Sequence, residues 1–309
     1  MSRIDVRVED ILTLFTALLL TLVAGVRALG SMRIDEAQIW DIAFILCPVA
    51  LLVVTAAVRY TFRPFDDTAA PRIGGNAMSV IRDWTPFLLF LTIYESFQAH
   101  VWAVVAPVDK DATLLRLDRM LFHETPSVVM DAWVRSWLTD VLALAYVLHI
   151  ILPPLVALLL YRRDLGKFRA LLLAILASAA IAAQGYLLLP GVGPGAAFPE
   201  LYHHTLSGQT AERLTSYLDT ARASRDVFPS LHVGIATIVL YYARALGKRW
   251  FAAIVPLVVA IWISTIYLRY HYLIDIFAGW ATAALAIWLA GFLLRWEARV
   301  KLRLASRHS

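Results

Sequence analysis

The chain has 309 residues, 60% of them hydrophobic and only 17% charged, with a formal net charge of +5 and a mean hydropathy of +0.69. A soluble domain carries roughly 45–50% apolar and about 25% charged residues, so this composition excludes one and predicts an all-α, multi-pass membrane protein. The positive balance does not point to nucleic acid: the basic residues fall in short loops between apolar runs, where they set membrane orientation, and none form a basic stretch interleaved with aromatics.

A crossing of the hydrocarbon core takes about 20 apolar residues, and about eight transmembrane helices are expected. The first run, residues 11–29, follows a mixed-charge N-terminus and has no small-residue cleavage site after it, so it is expected to be a retained span. The second, 39–60, holds the single cysteine, Cys47, expected to be a small buried hydrophobe. The loop 64–77, with Pro71, Gly74 and Gly75, is expected to join two N-terminal spans (1–75) to a six-span core (84–295), with a basic cytoplasmic tail at 296–309. The third run, 84–105, carries Glu95, with Gln98 and His100 beyond it. An intramembrane carboxylate is a functional candidate by default; a hydrogen bond to a neighbouring helix is the plainer expectation.

Residues 114–138 mix Arg116, Asp118, Arg119 and Arg135 with Leu, Met, Phe and Trp, which predicts an amphipathic helix lying at the interface. The fourth span, 141–161, places His149 about 12 Å below its outer end, near the floor of a site or in a structural hydrogen bond. The fifth, 170–189, holds Gln184, expected to act as interhelical glue. It is closed by Pro190-Gly191-Val192-Gly193-Pro194-Gly195, which cannot stay helical. Such a turn can bring backbone amides to a phosphate. The loop beyond carries Glu200, His203, His204, Arg213 and Asp219, read as a solvated surface or else as a lid. The sixth span, 228–245, is the weakest, because it opens on the polar Ser230 and His232. The seventh and eighth are 250–268 and 273–294.

With the N-terminus cytoplasmic, 18 of the 28 Lys and Arg residues fall on the cytoplasmic side, which is the orientation the positive-inside rule favours. His232 then opens span six and His271 directly precedes span eight, both on the extracytoplasmic side. The hairpin of spans six and seven returns the chain to one membrane face.

Phe228-Pro229-Ser230-Leu231-His232 and Tyr270-His271-Tyr272-Leu273-Ile274-Asp275 therefore form the candidate site. Histidine suits proton transfer near neutral pH. On a helix, His271 and Asp275 share a face, so the carboxylate can take the proton of one ring nitrogen and leave the other free to attack. Covalent catalysis needs an oriented nucleophile, acid–base work needs a second titratable group, and a phosphoryl centre needs cations or amides for its oxygens. Arg269, Arg225 and Arg222 are the candidate cations. A zinc site built from His, His and Asp is the sharper alternative. A transporter with Glu95 as a proton-coupled site is another.

These motifs resemble the type-2 phosphatidic acid phosphatase superfamily, with its PSxxH and SRxxxxxHxxxD signatures. Pro229-Ser230-Leu231-His232 is complete. The second runs from Ser264 through His271 to Asp275, with Thr265 where the family has arginine, and the upstream KxxxxxxRP motif is not found. The string from Asp226 to His232, with His271-Tyr272 and Asp275, is similar to the inositol phosphorylceramide synthase-like branch. The resemblance covers residues 84–294 and implies a helical core in which His271 is the nucleophile, Asp275 holds its tautomer, His232 is acid and then base, and Ser230 binds a phosphate oxygen. It implies metal-independent chemistry with no cofactor. The expected substrate is a phospholipid or lipid phosphate, the acceptor a lipid alcohol or water, and the setting the plasma membrane with an extracytoplasmic active site. A site lacking two of the family's cations suits a phosphodiester, with one negative charge. That favours a headgroup phosphotransferase; the alternative is a lipid or polyprenyl phosphate phosphatase.

Overall fold

The computed structural model describes residues 7–12, 80, 83–88, 109–213 and 225–306. Among these residues the protein is helical, and its one extended pairing is a single bridge between Gly191 and Asp226. The principal helices are α1 (Asp111–Phe122), α2 (Ser136–Tyr161), α3 (Leu165–Leu188), α4 (Leu231–Ala243), α5 (Lys248–Tyr267) and α6 (Leu273–Ser306), with single turns between them. Four of them, α2, α3, α5 and α6, are long and apolar enough to cross a membrane, and the protein is a helical membrane protein. The expected span at 39–60 and most of those at 11–29 and 84–105 lie outside the described residues, as do Cys47, Glu95, Gln98, His100, the loop 64–77, Asp219 and Arg222.

The sixth expected span is α4, 13 residues long and continued by a one-turn 3-10 segment to Leu246. At 1.5 Å per residue the helix is about 20 Å long, against a hydrocarbon core of about 30 Å. It is short because Pro229 and the N-cap Ser230 start it late and Gly247, at φ 98°, ends it.

The chain packs as two units. In the first, Arg7 pairs with buried Asp83 at 2.9 Å, and Arg169 bridges Glu9 at 2.7 Å and Glu297 at 2.8 Å. The rings of Trp84, Tyr161 and Phe168 pack around one another. The second unit, residues 106–160 and 178–286, holds both motifs.

Four aspartates organise the second unit, and each accepts two consecutive backbone N–H groups. Asp111 takes Val192 and Gly193, Asp118 takes Leu273 and Ile274, Asp131 takes His203 and His204, and Asp140 takes Thr210 and Ala211, at 2.9–3.3 Å. A buried backbone donor without a partner is costly, and a charged acceptor satisfies two at once, each bond contributing about 1.5–3 kcal/mol. This corrects the expectation of one interfacial helix over 114–138. The segment breaks into α1, a helical turn at Pro126–Val129 and a 3-10 turn at Met130–Trp133. The buried stripe of α1 is Asp111, Leu114, Leu115 and Asp118, and Asp118 is 0% exposed. Two carboxylates face inward because loop amides and a helix N-terminus meet them there.

Candidate active site

His271 lies in the five-residue turn, Leu268 to Tyr272, between α5 and α6, and the turn is specified residue by residue. Helix α5 ends with Arg269 N–H on the Ile266 carbonyl at 2.9 Å and Tyr270 N–H on the Thr265 carbonyl at 3.1 Å. This is the Schellman pattern, whose first residue past the cap is left-handed and usually glycine. Here it is Arg269, at φ 65°. Helix α6 then starts at Leu273. Asp275, its third residue, reaches back to the Tyr272 N–H at 2.8 Å, the reciprocal half of a capping box. The next two donors, Leu273 and Ile274, go to Asp118. The expected placement of His271 and Asp275 on one helical turn is thus corrected. The histidine precedes the helix and the carboxylate caps it, and this still brings their side chains together.

His232 enters from α4, one residue inside the helix capped by Ser230 Oγ. Helices α4 and α6 come close because Gly234 and Gly279 face each other. A Cβ on Gly279 would meet the Ser230 carbonyl oxygen at 2.6 Å. Ser230 N–H also donates to the Asp275 carbonyl at 3.1 Å. The two motifs, about forty residues apart in sequence, are thereby joined at the backbone.

The side chains meet accordingly. His232 Nδ1 lies 3.2 Å from His271 Nε2, with the ring centroids 5.3 Å apart. His271 Nδ1 lies 3.0 Å from the Val227 carbonyl oxygen and 3.4 Å from Asp275 Oδ2. A carbonyl can only accept, so Nδ1 of His271 carries the proton and Nε2 carries the lone pair. His232 Nδ1 must then donate to that lone pair. Burial lowers the pKa of His271 from 6.5 to about 4, against the opposing influence of Asp226 and the Val227 hydrogen bond, so the ring is neutral at pH 7. His271 is 2% exposed and Asp275 and Ser230 are 0% exposed.

Arg269 and Arg225, expected to serve phosphate oxygens, are each paired with an aspartate. The Arg269 guanidinium donates to Asp131 Oδ1 and to the His204 carbonyl, each at 2.6 Å, and lies over the Tyr202 ring at 4.1 Å. Asp131 also takes the His204 ring at 3.0 Å. Although burial pushes the Asp131 carboxyl upward, these partners hold it below the ordinary carboxylate range. Arg225 pairs with Asp109 at the surface. Thr265, in the family's arginine position, donates its hydroxyl to the Trp262 carbonyl of its own helix at 2.8 Å.

The Pro190–Gly195 turn does come to this site. Gly195 N–H donates to the Arg269 carbonyl at 2.9 Å, and Gly193, at φ 89°, packs directly on the Tyr270 carbonyl. Three of its four amides are taken, however. Those of Val192 and Gly193 are held by Asp111 at 3.0 Å each, and Asp111 also accepts the Tyr272 hydroxyl at 2.9 Å. Among the described residues no three His, Cys, Asp or Glu side chains converge as metal ligands, so the zinc alternative finds no ligand set there.

One partner of the site, Tyr146, went unread, and it stands beside His149, which was expected near the floor of the site or in a structural hydrogen bond. Tyr146, from α2, has its hydroxyl 2.8 Å from His232 Nε2. His149 puts its ring centroid 4.3 Å from that of His232 and its Nδ1 2.5 Å from the Tyr146 carbonyl. The available signal was their spacing: two polar aromatics three apart on an otherwise apolar helix share one face.

Comparison with known proteins gives one family. Residues 112–289 match the family model described as PAP2 superfamily. No curated protein and no solved structure matches the chain.

Proposed function

The chain belongs to the PAP2 superfamily of phosphatases and phosphotransferases, and from that premise we propose that it moves a phospholipid headgroup phosphate to a lipid alcohol through a phosphohistidine on His271. The observation that carries this reading is the 3.2 Å approach of His232 Nδ1 to His271 Nε2, with Nδ1 of His271 held by an acceptor. Substrate binding replaces that contact, placing phosphorus against Nε2 and the ester oxygens beside His232.

In the first half-reaction the N–P bond forms as the bond from phosphorus to the leaving lipid oxygen breaks, and His232, entering as the imidazolium, gives that oxygen its Nδ1 proton and keeps Nε2–H. Positive charge develops on the His271 ring, and Asp275 and the Val227 carbonyl stabilise it through Nδ1–H. In the second half-reaction the acceptor alcohol gives its proton to His232 as its oxygen bonds to phosphorus and the N–P bond breaks. Ser230, whose oxygen caps α4, keeps its hydroxyl proton for a phosphate oxygen. No step uses a metal.

The charge balance supports a diester donor, as in the inositol phosphorylceramide synthase-like branch. A monoester carries close to two negative charges and a diester one. The family's motif arginine is Thr265, and Arg269 and Arg225 are each already neutralised by an aspartate. In this reading the two arginines frame the headgroup as ion pairs. The positive-inside count supports an extracytoplasmic site, in the plasma membrane.

The test incubates purified protein with phospholipids of different labelled headgroups, with candidate lipid alcohols and with ¹⁸O-water, and identifies products by mass spectrometry. Headgroup phosphate on the lipid alcohol, with an acid-labile phosphoenzyme that is lost in His271→Ala, is the expected result. Rapid hydrolysis of phosphatidic acid with no headgroup transfer would assign the phosphatase instead.

A further inference from the structure

The two imidazoles of the site are chemically identical, yet their partners differ in kind. His271 Nδ1 faces a carbonyl and a carboxylate, both acceptors, so its proton stays in place. His232 Nε2 faces a phenolic hydroxyl at 2.8 Å, and a hydroxyl can donate or accept by rotating about its C–O bond. We infer that Tyr146 is a positioning residue that keeps His232 in one orientation through both of its protonation states. The inference rests on the phosphotransfer reading above.

In the resting site His232 is neutral with its proton on Nδ1, and the Tyr146 hydroxyl donates to Nε2. When His232 is the imidazolium that acts as acid, and after its Nδ1 proton has gone to the leaving oxygen, Nε2–H donates to the Tyr146 oxygen and the bared Nδ1 is left to take the acceptor's proton. A carboxylate in that place would favour the cation and a backbone N–H the neutral ring. An amphoteric partner keeps a hydrogen bond to Nε2 in the resting ring and in the working forms alike, which suits a group that must gain a proton before it acts as acid and then serves as base.

The tyrosine is itself held. It is 5% exposed. Its ring stacks on Tyr270 at 4.7 Å and meets His149 at 4.9 Å and His232 at 4.9 Å. Tyr270 is the residue before His271, so one stack ties the acid–base partner to the turn that carries the nucleophile. The titratable groups around His232 are thus Tyr146 and His149 from α2, and Tyr270 and His271 from the turn before α6, with Asp275 behind His271.

The test compares wild type and Tyr146→Phe, purified as full chains, on two phosphodiester donors. One is a phospholipid, whose alkoxide leaving group needs a proton; the other is a p-nitrophenyl alkyl phosphodiester, whose leaving group does not. Phenylalanine keeps the ring stack and removes the hydroxyl. We expect kcat on the phospholipid to fall 10- to 100-fold with KM little changed, and formation of the covalent intermediate from the p-nitrophenyl ester to change less than threefold. Equal loss on both donors, or no loss on either, would overturn the role given to Tyr146. 2,3,5-Trifluorotyrosine at 146, a better donor and poorer acceptor in the same shape, favours neutral His232. It should move the alkaline limb of the phospholipid pH–kcat profile to lower pH, and an unmoved limb would also overturn the proposal. A wild-type protein that forms no phosphoenzyme from either donor would instead sink the phosphotransfer reading.

Discussion

Asparagine at position 275 separates two things a carboxylate can do beside a reacting imidazole. Where a carboxylate alone sets the tautomer, its amide replacement lowers kcat about 10⁴-fold, because the ring is held the wrong way round. Here the Val227 carbonyl, 3.0 Å from Nδ1 of His271, holds that proton, and Asp275 Oδ2 stands farther off at 3.4 Å. Asp275→Asn therefore leaves the tautomer in place and removes the charge. The amide oxygen can still accept the Tyr272 N–H, so the start of α6 survives. Across 3.4 Å, at an effective dielectric of about 20, a full charge on the ring is stabilised by about 5 kcal/mol. With about half of that charge developed in the transition state, the loss is about 2.5 kcal/mol, or on the order of 10²-fold in rate. The assay is single-turnover formation of the covalent intermediate from a labelled donor, with thermal unfolding of both proteins as the folding control. A loss near 10⁴-fold would mean that the carboxylate sets the tautomer after all. A loss under fivefold would mean that no charge acts on the ring. Either result refutes the reasoning.

Four further outcomes follow from the same geometry. Burial lowers His271 to about 4, and protonation removes its attacking lone pair, so covalent bond formation from a p-nitrophenyl ester should hold between pH 7 and 5 and fall as pH approaches 4; stopped-flow release of p-nitrophenol checks this, and a fall centred on 6.5 contradicts it. Asp118→Ala strands the N–H groups of Leu273 and Ile274 and should destabilise the protein by about 2–5 kcal/mol, read as lowered thermal stability with loss of activity. Arg269 sits at φ 65°, so Arg269→Gly and Arg269→Ala both lose the tie to Asp131, but glycine should leave the protein about 1 kcal/mol more stable than alanine, measured by thermal unfolding. EDTA should leave transfer unchanged while vanadate inhibits it, in the same product assay.

The helices at 136–161, 165–188, 248–267 and 273–306 were legible because apolar runs of that length have few alternatives. His232, His271 and Asp275 were legible because two short motifs at helix ends must come together when a hairpin returns the chain to one face. The tethers were not. Asp111 and Asp118 lie on the same stripe of α1 as Leu114 and Leu115, a position that hydrophobic patterning assigns to apolar residues. Their partners are backbone amides of the 192–193 turn and the 273–274 helix start, and backbone donors leave no trace in side-chain identity. Arg269 was read as a phosphate ligand from its distance to His271 in sequence. A left-handed residue at a helix end turns its side chain away from the path of the next residue, and here it points to Asp131.

That arrangement bears on why the site can do without the family's cations. A motif arginine both neutralises phosphate and stiffens the loops around it. Here the aspartates do the stiffening: Asp111 holds the glycine turn, Asp118 the start of α6, and Asp131 the loop at 203–204 together with Arg269. Each is satisfied within the protein, so the loops are ordered before any anion arrives. A doubly charged phosphate would then meet buried carboxylates, and among the described residues the candidate cations Arg269 and Arg225 are each paired with an aspartate. A singly charged diester would meet the same framework at a smaller electrostatic cost. Under the proposed function, a preference for a diester and the loop architecture would have one cause: carboxylates on α1 and the segment after it occupy amides that a phosphate would otherwise claim.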